Sequence, residues 1–175
     1  TPHSTYGVSK MAADGLVQVR WREAGVRAIA MRQFNCVGER ETHEYVVPEI
    51  ISQLDKGNQI KLGNNSFRYF QYAGDAIEMA VDLLENGKFG EVYNMGSEGG
   101  IKIYDLANLI GKLMGYKEVI IDVDEERVRP WEIWHLQSDN TKLYGVIKTR
   151  PQTSLEEALK KTVDYFHNNK CQWGW

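Results

Sequence analysis

The sequence Thr5-Tyr6-Gly7-Val8-Ser9-Lys10 opens a run of helix-forming residues that ends near Gly25. Positions four apart lie on one face of an α-helix, so the phenol of Tyr6 and the ammonium of Lys10 are predicted to project side by side. A phenol is a poor base at neutral pH, but an adjacent fixed cation favours its phenolate form. The spacing therefore predicts that Tyr6 accepts a proton from a hydroxyl group, although a tyrosine and a lysine also meet at this spacing by chance.

This first helix is predicted to run from Ser4 to Ala24, with Ser4 or Thr5 as its cap and Gly25 as its stop. Residues 26–31 are short and mostly apolar, which favours a buried strand of the parallel type that ends at Arg32. The expected apolar positions of the first helix recur at intervals of three and four residues: Met11, Ala12, Gly15, Leu16 and Val19.

The rest of the chain alternates predicted strands and helices, a pattern typical of α/β proteins. Asp75 precedes one helix and is expected to interact with its dipole, and Ile77, Ala80, Val81 and Leu84 mark its expected apolar face. Helices are predicted over 46–54, 76–85, 103–113, 139–143 and 154–166, and strands over 60–63, 67–73, 92–96 and 119–123.

The composition argues against nucleic-acid binding, a membrane span and a metal site. The 175 residues are 42% hydrophobic and 26% charged, with a net charge of −3, so the basic stripe typical of nucleic-acid binding is missing. No apolar run approaches the ~18 residues of a membrane span, and a signal peptide is not recognisable, so we expect a cytoplasmic protein without a membrane partner. Cys36 and Cys171 lack metal-ligand spacing, which indicates reduced thiols and no metal site.

Five arginines are predicted to lie in loops or at strand ends, where binding groups concentrate. If they converge, they form an anion site within an acidic protein; the alternative is that each is a solvated surface residue. They are Arg32, Arg40, Arg68, Arg127 and Arg129. Arg32, Asn35 and Arg40 follow a parallel strand, and ligands of α/β proteins bind at such strand ends.

Seven motifs follow one another along nearly the whole chain. They are YGVSK (6–10), RQFNCVG (32–38), RYFQYAGD (68–75), YNMG (93–96), RVRP (127–130), DNTK (139–142) and PQTSLEE (151–157). In this order and spacing they resemble the extended short-chain dehydrogenase/reductases, and among these the NAD-dependent nucleotide-sugar epimerases and dehydratases. The implied fold is α/β, comprising the C-terminal part of a Rossmann-like parallel sheet and a small substrate-binding α/β subdomain.

The resemblance implies a role for each matching residue. Tyr6 is the acid/base that takes the proton of the sugar 4-hydroxyl, and Lys10 holds the nicotinamide ribose of NAD. Asn35 contacts the substrate, and Arg68 and Arg129 clasp the diphosphate of a nucleoside diphosphate-sugar. Arginine suits this task because its fork holds phosphate oxygens bidentately. The segment 46–50 is expected near the base.

The chain departs from the family pattern in several places, two of which concern the site. Relatives often carry an acidic residue directly after the arginine that is Arg68 here, but Tyr69 follows it in this chain. The glycine-rich turn that cradles the NAD pyrophosphate is also missing from these 175 residues, as is the upstream serine or threonine that assists the tyrosine.

These features predict that residues 1–175 are one unit, the C-terminal portion of an epimerase or dehydratase. Residues 1–45 would end the Rossmann-like part, residues 46–175 would mostly bind substrate, and the N-terminal NAD-binding half would be absent. We expect little activity and a homo-oligomer that covers the apolar surface left by the missing strands. The alternative is a non-catalytic module that binds nucleotide sugars or serves assembly.

Overall fold

A computed structural model describes residues 2, 4–128 and 132–169 of the chain. In this part lie α1 Thr5–Ala24, β1 Ala30–Gln33, β2 Cys36–Val37, α2 Val46–Leu54, β3 Gln59–Leu62, β4 Phe67–Tyr69, β5 Gln71–Tyr72, α3 Ala73–Asn86, β6 Val92–Met95, β7 Gly100–Lys102, α4 Ile103–Leu113, β8 Ile120–Val123, β9 His135–Leu136, α5 Thr141–Tyr144 and α6 Leu155–Asn168, with a 3-10 turn at Glu125–Arg127. None of the described helices has the length and apolar character needed to cross a membrane.

Parallel pairing dominates the sheets, which confirms the predicted α/β class. β1 lies parallel to β6, with Ala30 opposite Val92 and Gln33 opposite Met95. β2 pairs with β5 and β3 with β8, both in parallel. β4 lies between an antiparallel β7 and a parallel β9. Parallel strands place their carboxyl ends at one edge, so the segments after β1 and β6 meet there.

The first helix has the predicted ends. Ser4 is its N-cap and accepts a 3.0 Å hydrogen bond from the Gly7 amide, and Gly25 ends it in the left-handed conformation that glycine adopts readily. None of its residues is buried, however, and Leu16 is 63% exposed. The expected apolar face of α1 therefore stays uncovered by the described part of the chain.

Two hydrophobic cores hold the described residues together. The larger core joins α2, α4 and α6 to β3, with Ile50, Leu106 and Leu159 fully buried. The smaller core packs α3 and α5 on β6, and contains Ala76, Met79, Leu83, Tyr93, Met95, Leu143 and Ile147. α2 and α4 match their predicted limits, and Ser154 caps α6 as predicted by accepting from the Glu157 amide at 3.2 Å.

The predicted apolar face of α3 is wrong. Ile77, Val81 and Leu84 are 65%, 52% and 63% exposed, whereas Met79 and Leu83 pack into the smaller core. Apolar residues occupy both sides of this helix, so periodicity alone did not decide which side faces β6. α3 also begins at Ala73, three residues before its predicted start.

Some strand limits also differ from prediction. The predicted strand 67–73 is two strands, β4 and β5, and the predicted strand 26–31 lies further on as β1, Ala30–Gln33. The extent of β1 is fixed by its pairing with β6, which a local apolar run does not reveal. The sequence also did not predict β2, β7 and β9, which contain two or three residues each.

Asp75 has a larger structural role than its position at a helix start predicts. Its side chain is 7% exposed, and its carboxylate accepts hydrogen bonds from the amides of Gln152 and Thr153 at 3.1 and 2.9 Å. The Thr153 hydroxyl donates a third bond at 3.1 Å. Asp75 therefore ties α3 to the segment that leads into α6.

We predict that Asp75→Ala lowers the free energy of unfolding by about 2–3 kcal/mol, because three buried or half-buried donors lose their acceptor. Asp105 is the matched control, since it is also the third residue of a helix but is exposed. Asp105→Ala should cost about 0.3–1 kcal/mol, the usual contribution of a helix dipole. Equal losses in urea unfolding of the two variants would contradict the role of Asp75.

Candidate active site

Tyr6 and Lys10 lie together on the first turns of α1. The Lys10 ammonium is 5.4 Å from the centre of the Tyr6 ring. Tyr6 is 69% exposed, and no carboxylate of the described residues forms an ion pair with Lys10. The spacing of the two residues thus brings phenol and cation side by side, with both available to a ligand.

A cavity of about 660 Å³ opens beside Tyr6, at the carboxyl end of β1. Its wall is formed by the segment after β1, by the start of α2 and by one residue each from the β4–β5 junction and β9. The lining residues are Tyr6, Gln33, Phe34, Asn35, Cys36, Arg40, Glu41, Thr42, Tyr45, Val46, Phe70 and Leu136.

A second cavity of about 350 Å³ adjoins the first and contains Arg68 and Arg127. Its remaining wall comes mainly from α2, the β3–β4 turn and Glu132. The two cavities share Asn35, Tyr45, Val46 and Phe70. Because the two cavities share these wall residues, we treat them together as the Tyr6–Arg68 cleft, with the Tyr6 phenol at one end and the Arg68 and Arg127 guanidinium groups at the other.

Arg68 is held by an acidic partner that is distant in the sequence. Its Nη2 lies 2.6 Å from Glu132 Oε1, and its Nη1 donates to the Phe67 carbonyl at 3.0 Å. Asn64 donates to the other oxygen of Glu132 at 3.1 Å. Two of the five guanidinium N–H groups are thus engaged, and three remain for a ligand. The sequence analysis did not identify Glu132, because it follows Arg68 by 64 residues.

Asn35 stands where the two cavities meet. Its Nδ2 donates to the Tyr69 carbonyl at 3.5 Å, a long bond that binds the amide weakly. Its own carbonyl accepts a 3.0 Å bond from the Gln71 amide, which fixes the backbone of this segment to β5. The side chain therefore has capacity for a ligand while the backbone is held.

The five arginines singled out from the sequence converge only in part. Arg68 and Arg127 line one cavity, and Arg40 lines the other. Arg127 is half-exposed and lies 3.3 Å from both Glu49 and Asp124. Arg32 pairs with Asp14 of α1 at 2.6 Å and lines neither cavity. Arg129 lies outside the described residues, as does Cys171.

Two ionisable groups of the cavity beside Tyr6 were not identified as site residues from the sequence. Burial raises the pKa of the Glu41 carboxyl to about 8, against a smaller opposing effect of the Gly38 backbone. Burial, and then the charge of Glu41, raise the pKa of the Cys36 thiol to about 11. Near neutral pH both groups are therefore mainly uncharged. A glutamate in a loop carries no signal in the sequence that would reveal this burial.

Comparison with known proteins identifies the family. Residues 1–162 match the family model described as GDP-mannose 4,6 dehydratase. The chain belongs to this family. The dTDP-D-glucose 4,6-dehydratase of Homo sapiens is 29% identical over 178 residues, which cover 98% of this chain and 51% of that protein. The chain spans about half the length of the curated dTDP-D-glucose 4,6-dehydratases that it matches.

Solved structures show the same relationship. A UDP-glucose 4-epimerase of Thermotoga maritima, solved with UDP-glucose, superposes with a TM-score of 0.86 at 26% identity, over 97% of this chain and 55% of that one. A UDP-glucuronic acid 4-epimerase of Bacillus cereus, solved with UDP-glucuronic acid and NAD, gives 0.88 at 25% identity, over 96% and 54%. These matches confirm the resemblance to nucleotide-sugar epimerases and dehydratases that the seven motifs indicate.

Proposed function

We propose that this chain provides the acid–base pair and the nucleotide-sugar site of an NAD-dependent nucleotide-sugar 4,6-dehydratase or 4-epimerase. The observation that carries the proposal is the Tyr6–Arg68 cleft, in which the cavity beside the exposed Tyr6–Lys10 pair shares four wall residues with the cavity that contains Arg68. Membership of a family whose relatives bear these activities supports it.

The cleft suits a nucleoside diphosphate-sugar. The three N–H groups of Arg68 that remain available are donors to the diphosphate, and by the family resemblance Arg129 assists them. Asn35 lies between the two cavities, where its amide reaches the sugar. The first residue of α2, Val46, lines both cavities, which agrees with the expectation that residues 46–50 lie near the base.

Tyr6 is the proposed acid/base. Its phenol oxygen accepts the proton of the sugar 4-hydroxyl, and the Lys10 ammonium lies 5.4 Å from the centre of the Tyr6 ring. Both candidate reactions begin with this step at C4. Whether water is then eliminated or the configuration is inverted depends on groups other than those of the Tyr6–Arg68 cleft, so both reactions remain in the proposal.

The residues fit one end of NAD. When bound, NAD supplies the acceptor for the hydride that leaves C4. Lys10 is free of carboxylate partners within the described residues, so its N–H groups are available to the nicotinamide ribose, together with the Tyr6 hydroxyl. The glycine-rich turn for the pyrophosphate is not among the 175 residues. We propose that a segment outside this sequence contributes this turn. We also propose that residues 1–45 belong to the same Rossmann-like part as that segment, and that residues 46–175 mostly bind substrate.

It follows that the 175-residue chain on its own should not form NADH when mixed with NAD and a nucleoside diphosphate-hexose. The reason is that half of the proposed dinucleotide site is missing from the sequence. Absorbance at 340 nm tests this, and a clear rate of hydride transfer that Tyr6→Phe abolishes would contradict it.

The binding site itself is tested by calorimetric titration of the chain with UDP-, dTDP- and GDP-linked hexoses. Arg68→Ala should weaken the tightest of these complexes about 10- to 100-fold, since charge-assisted bonds to phosphate are lost. Arg27→Ala is the matched control, because Arg27 is exposed and lines neither cavity of the cleft. Equal affinities of the two variants would contradict the proposed diphosphate site.

We also propose a homo-oligomer that covers the exposed apolar residues of α1. Val8, Met11 and Leu16 are 51%, 57% and 63% exposed. Several large apolar side chains exposed on one helix are typical of a surface that contacts another protein. Leu16→Glu should therefore shift the protein towards monomer in sedimentation velocity, whereas Glu23→Gln at the exposed end of α1 should not. A wild-type monomer at high concentration would contradict the proposal.

A further inference from the structure

Carboxylates outnumber guanidinium groups in the cavity that contains Arg68. Among the described residues, its charged lining consists of two arginines and three glutamates: Arg68, Arg127, Glu44, Glu49 and Glu132. A third cation from Arg129, which the family resemblance implies, would only make the two signs equal. The described wall of this cavity therefore carries no excess of positive charge, although a diphosphate is the group proposed to bind there.

The carboxylate of Glu132 is fixed in this wall by two partners. Its Oε1 lies 2.6 Å from Arg68 Nη2, and its other oxygen accepts a 3.1 Å hydrogen bond from Asn64. Asn64 is itself held, because its Oδ1 accepts from the amide of Ser66, which is 3% exposed. The side chains of Arg68 and Glu132 are only 16% and 12% exposed. Moving Glu132 away would break both of its contacts and leave a half-buried cation unpaired, so its charge stays beside Arg68 when a ligand enters.

Glu49 balances the second arginine of the cavity. Its Oε1 lies 3.3 Å from Arg127 Nη1 and accepts a 3.0 Å hydrogen bond from Gln53 Nε2. Gln53 is anchored in turn, because the Lys61 amide donates to its Oε1 at 2.7 Å. This pair is more open to solvent than Arg68–Glu132, with side-chain exposures of 46% and 29%. Its charges are therefore screened more strongly, and Glu132 should have the larger effect on a bound anion.

Nucleotides differ in the charge that they would bring to this cavity. In a nucleoside diphosphate-sugar both ends of the diphosphate are esterified, so each phosphate carries a single negative charge. A free nucleoside diphosphate ends in a monoester, whose second ionisation near pH ~6 adds almost one further charge at pH 8. A carboxylate fixed within a Debye length of ~10 Å repels this additional charge.

We propose that Glu132, with a smaller contribution from Glu49, makes the cleft discriminate against a terminal phosphate. A diphosphate esterified at both ends is accepted, and free nucleoside di- and triphosphates are disfavoured. The three N–H groups of Arg68 that neither Glu132 nor the Phe67 carbonyl engages still bind phosphate oxygens, so recognition is retained while the net attraction for anions is limited. This inference rests on the proposed function and adds a specificity-determining residue to it.

The experiment compares a nucleoside diphosphate with its β-methyl ester, which lacks the terminal charge and adds only one methyl group. The nucleoside is the one whose hexose conjugate binds the chain most tightly. Calorimetric titrations at pH 8 contain EDTA, because a divalent cation would mask the charge. The wild type should bind the methyl ester about fivefold more tightly than the free diphosphate. In Glu132→Gln, which keeps the size of the side chain and an acceptor for Arg68, this preference should fall below about twofold.

Glu91→Gln is the matched control, because Glu91 also forms an ion pair, with Lys142 at 2.7 Å, but lines neither cavity of the cleft. It should keep the preference of the wild type. A purely structural role of Glu132 would weaken the binding of both ligands equally and leave their ratio unchanged. If Glu132→Gln does not fold, as judged by circular dichroism, Glu49→Gln takes its place and should lower the preference about twofold.

Two results would overturn the inference: a wild type that binds the free diphosphate as tightly as its methyl ester, or a preference that the glutamine variant retains in full. The proposed function would still stand in either case if the hexose conjugate binds and Arg68→Ala weakens that binding. Failure of every hexose conjugate to bind the wild type would instead overturn both.

Discussion

The parallel pairing of β1 with β6 is the constraint on which the site depends. It fixes where β1 ends, and the last residue of β1, Gln33, together with Asn35 and Glu41 of the segment after it, lines the cavity beside Tyr6. Asn35 then connects this segment to the other half of the cleft, because its carbonyl accepts from Gln71 and its amide donates to Tyr69. The β1–β6 pairing and the hydrogen bonds of Asn35 thus fix the position of the Tyr6 cavity relative to the cavity that contains Arg68.

Electrostatics divides the cleft into two environments. At one end Arg68 is paired with Glu132, so a partly buried cation is balanced and oriented before any ligand arrives. At the other end the carboxyl of Glu41 and the thiol of Cys36 are uncharged near neutral pH, because burial disfavours their ionised forms. The arginine end of the cleft is therefore the end that suits the diphosphate of the proposed ligand.

The sequence predicted the elements whose signals are local. Ser4 and Gly25 mark the ends of α1, and helical spacing gave α2 and α4 their limits. Features that depend on distant partners were not predictable in this way. β1 is positioned by β6, the buried side of α3 is chosen by the smaller core, and Glu132 reaches Arg68 only through the fold. Glu41 is of the same kind, since nothing in a loop sequence indicates that a carboxyl is buried.

The most direct test of the account is a crystal structure of this chain with the nucleoside diphosphate-hexose that it binds most tightly. The account predicts the diphosphate within hydrogen-bond distance of the Arg68 guanidinium, Asn35 against the sugar, and the 4-hydroxyl directed towards Tyr6. A ligand bound outside the Tyr6–Arg68 cleft, or one whose sugar points away from α1, would contradict it.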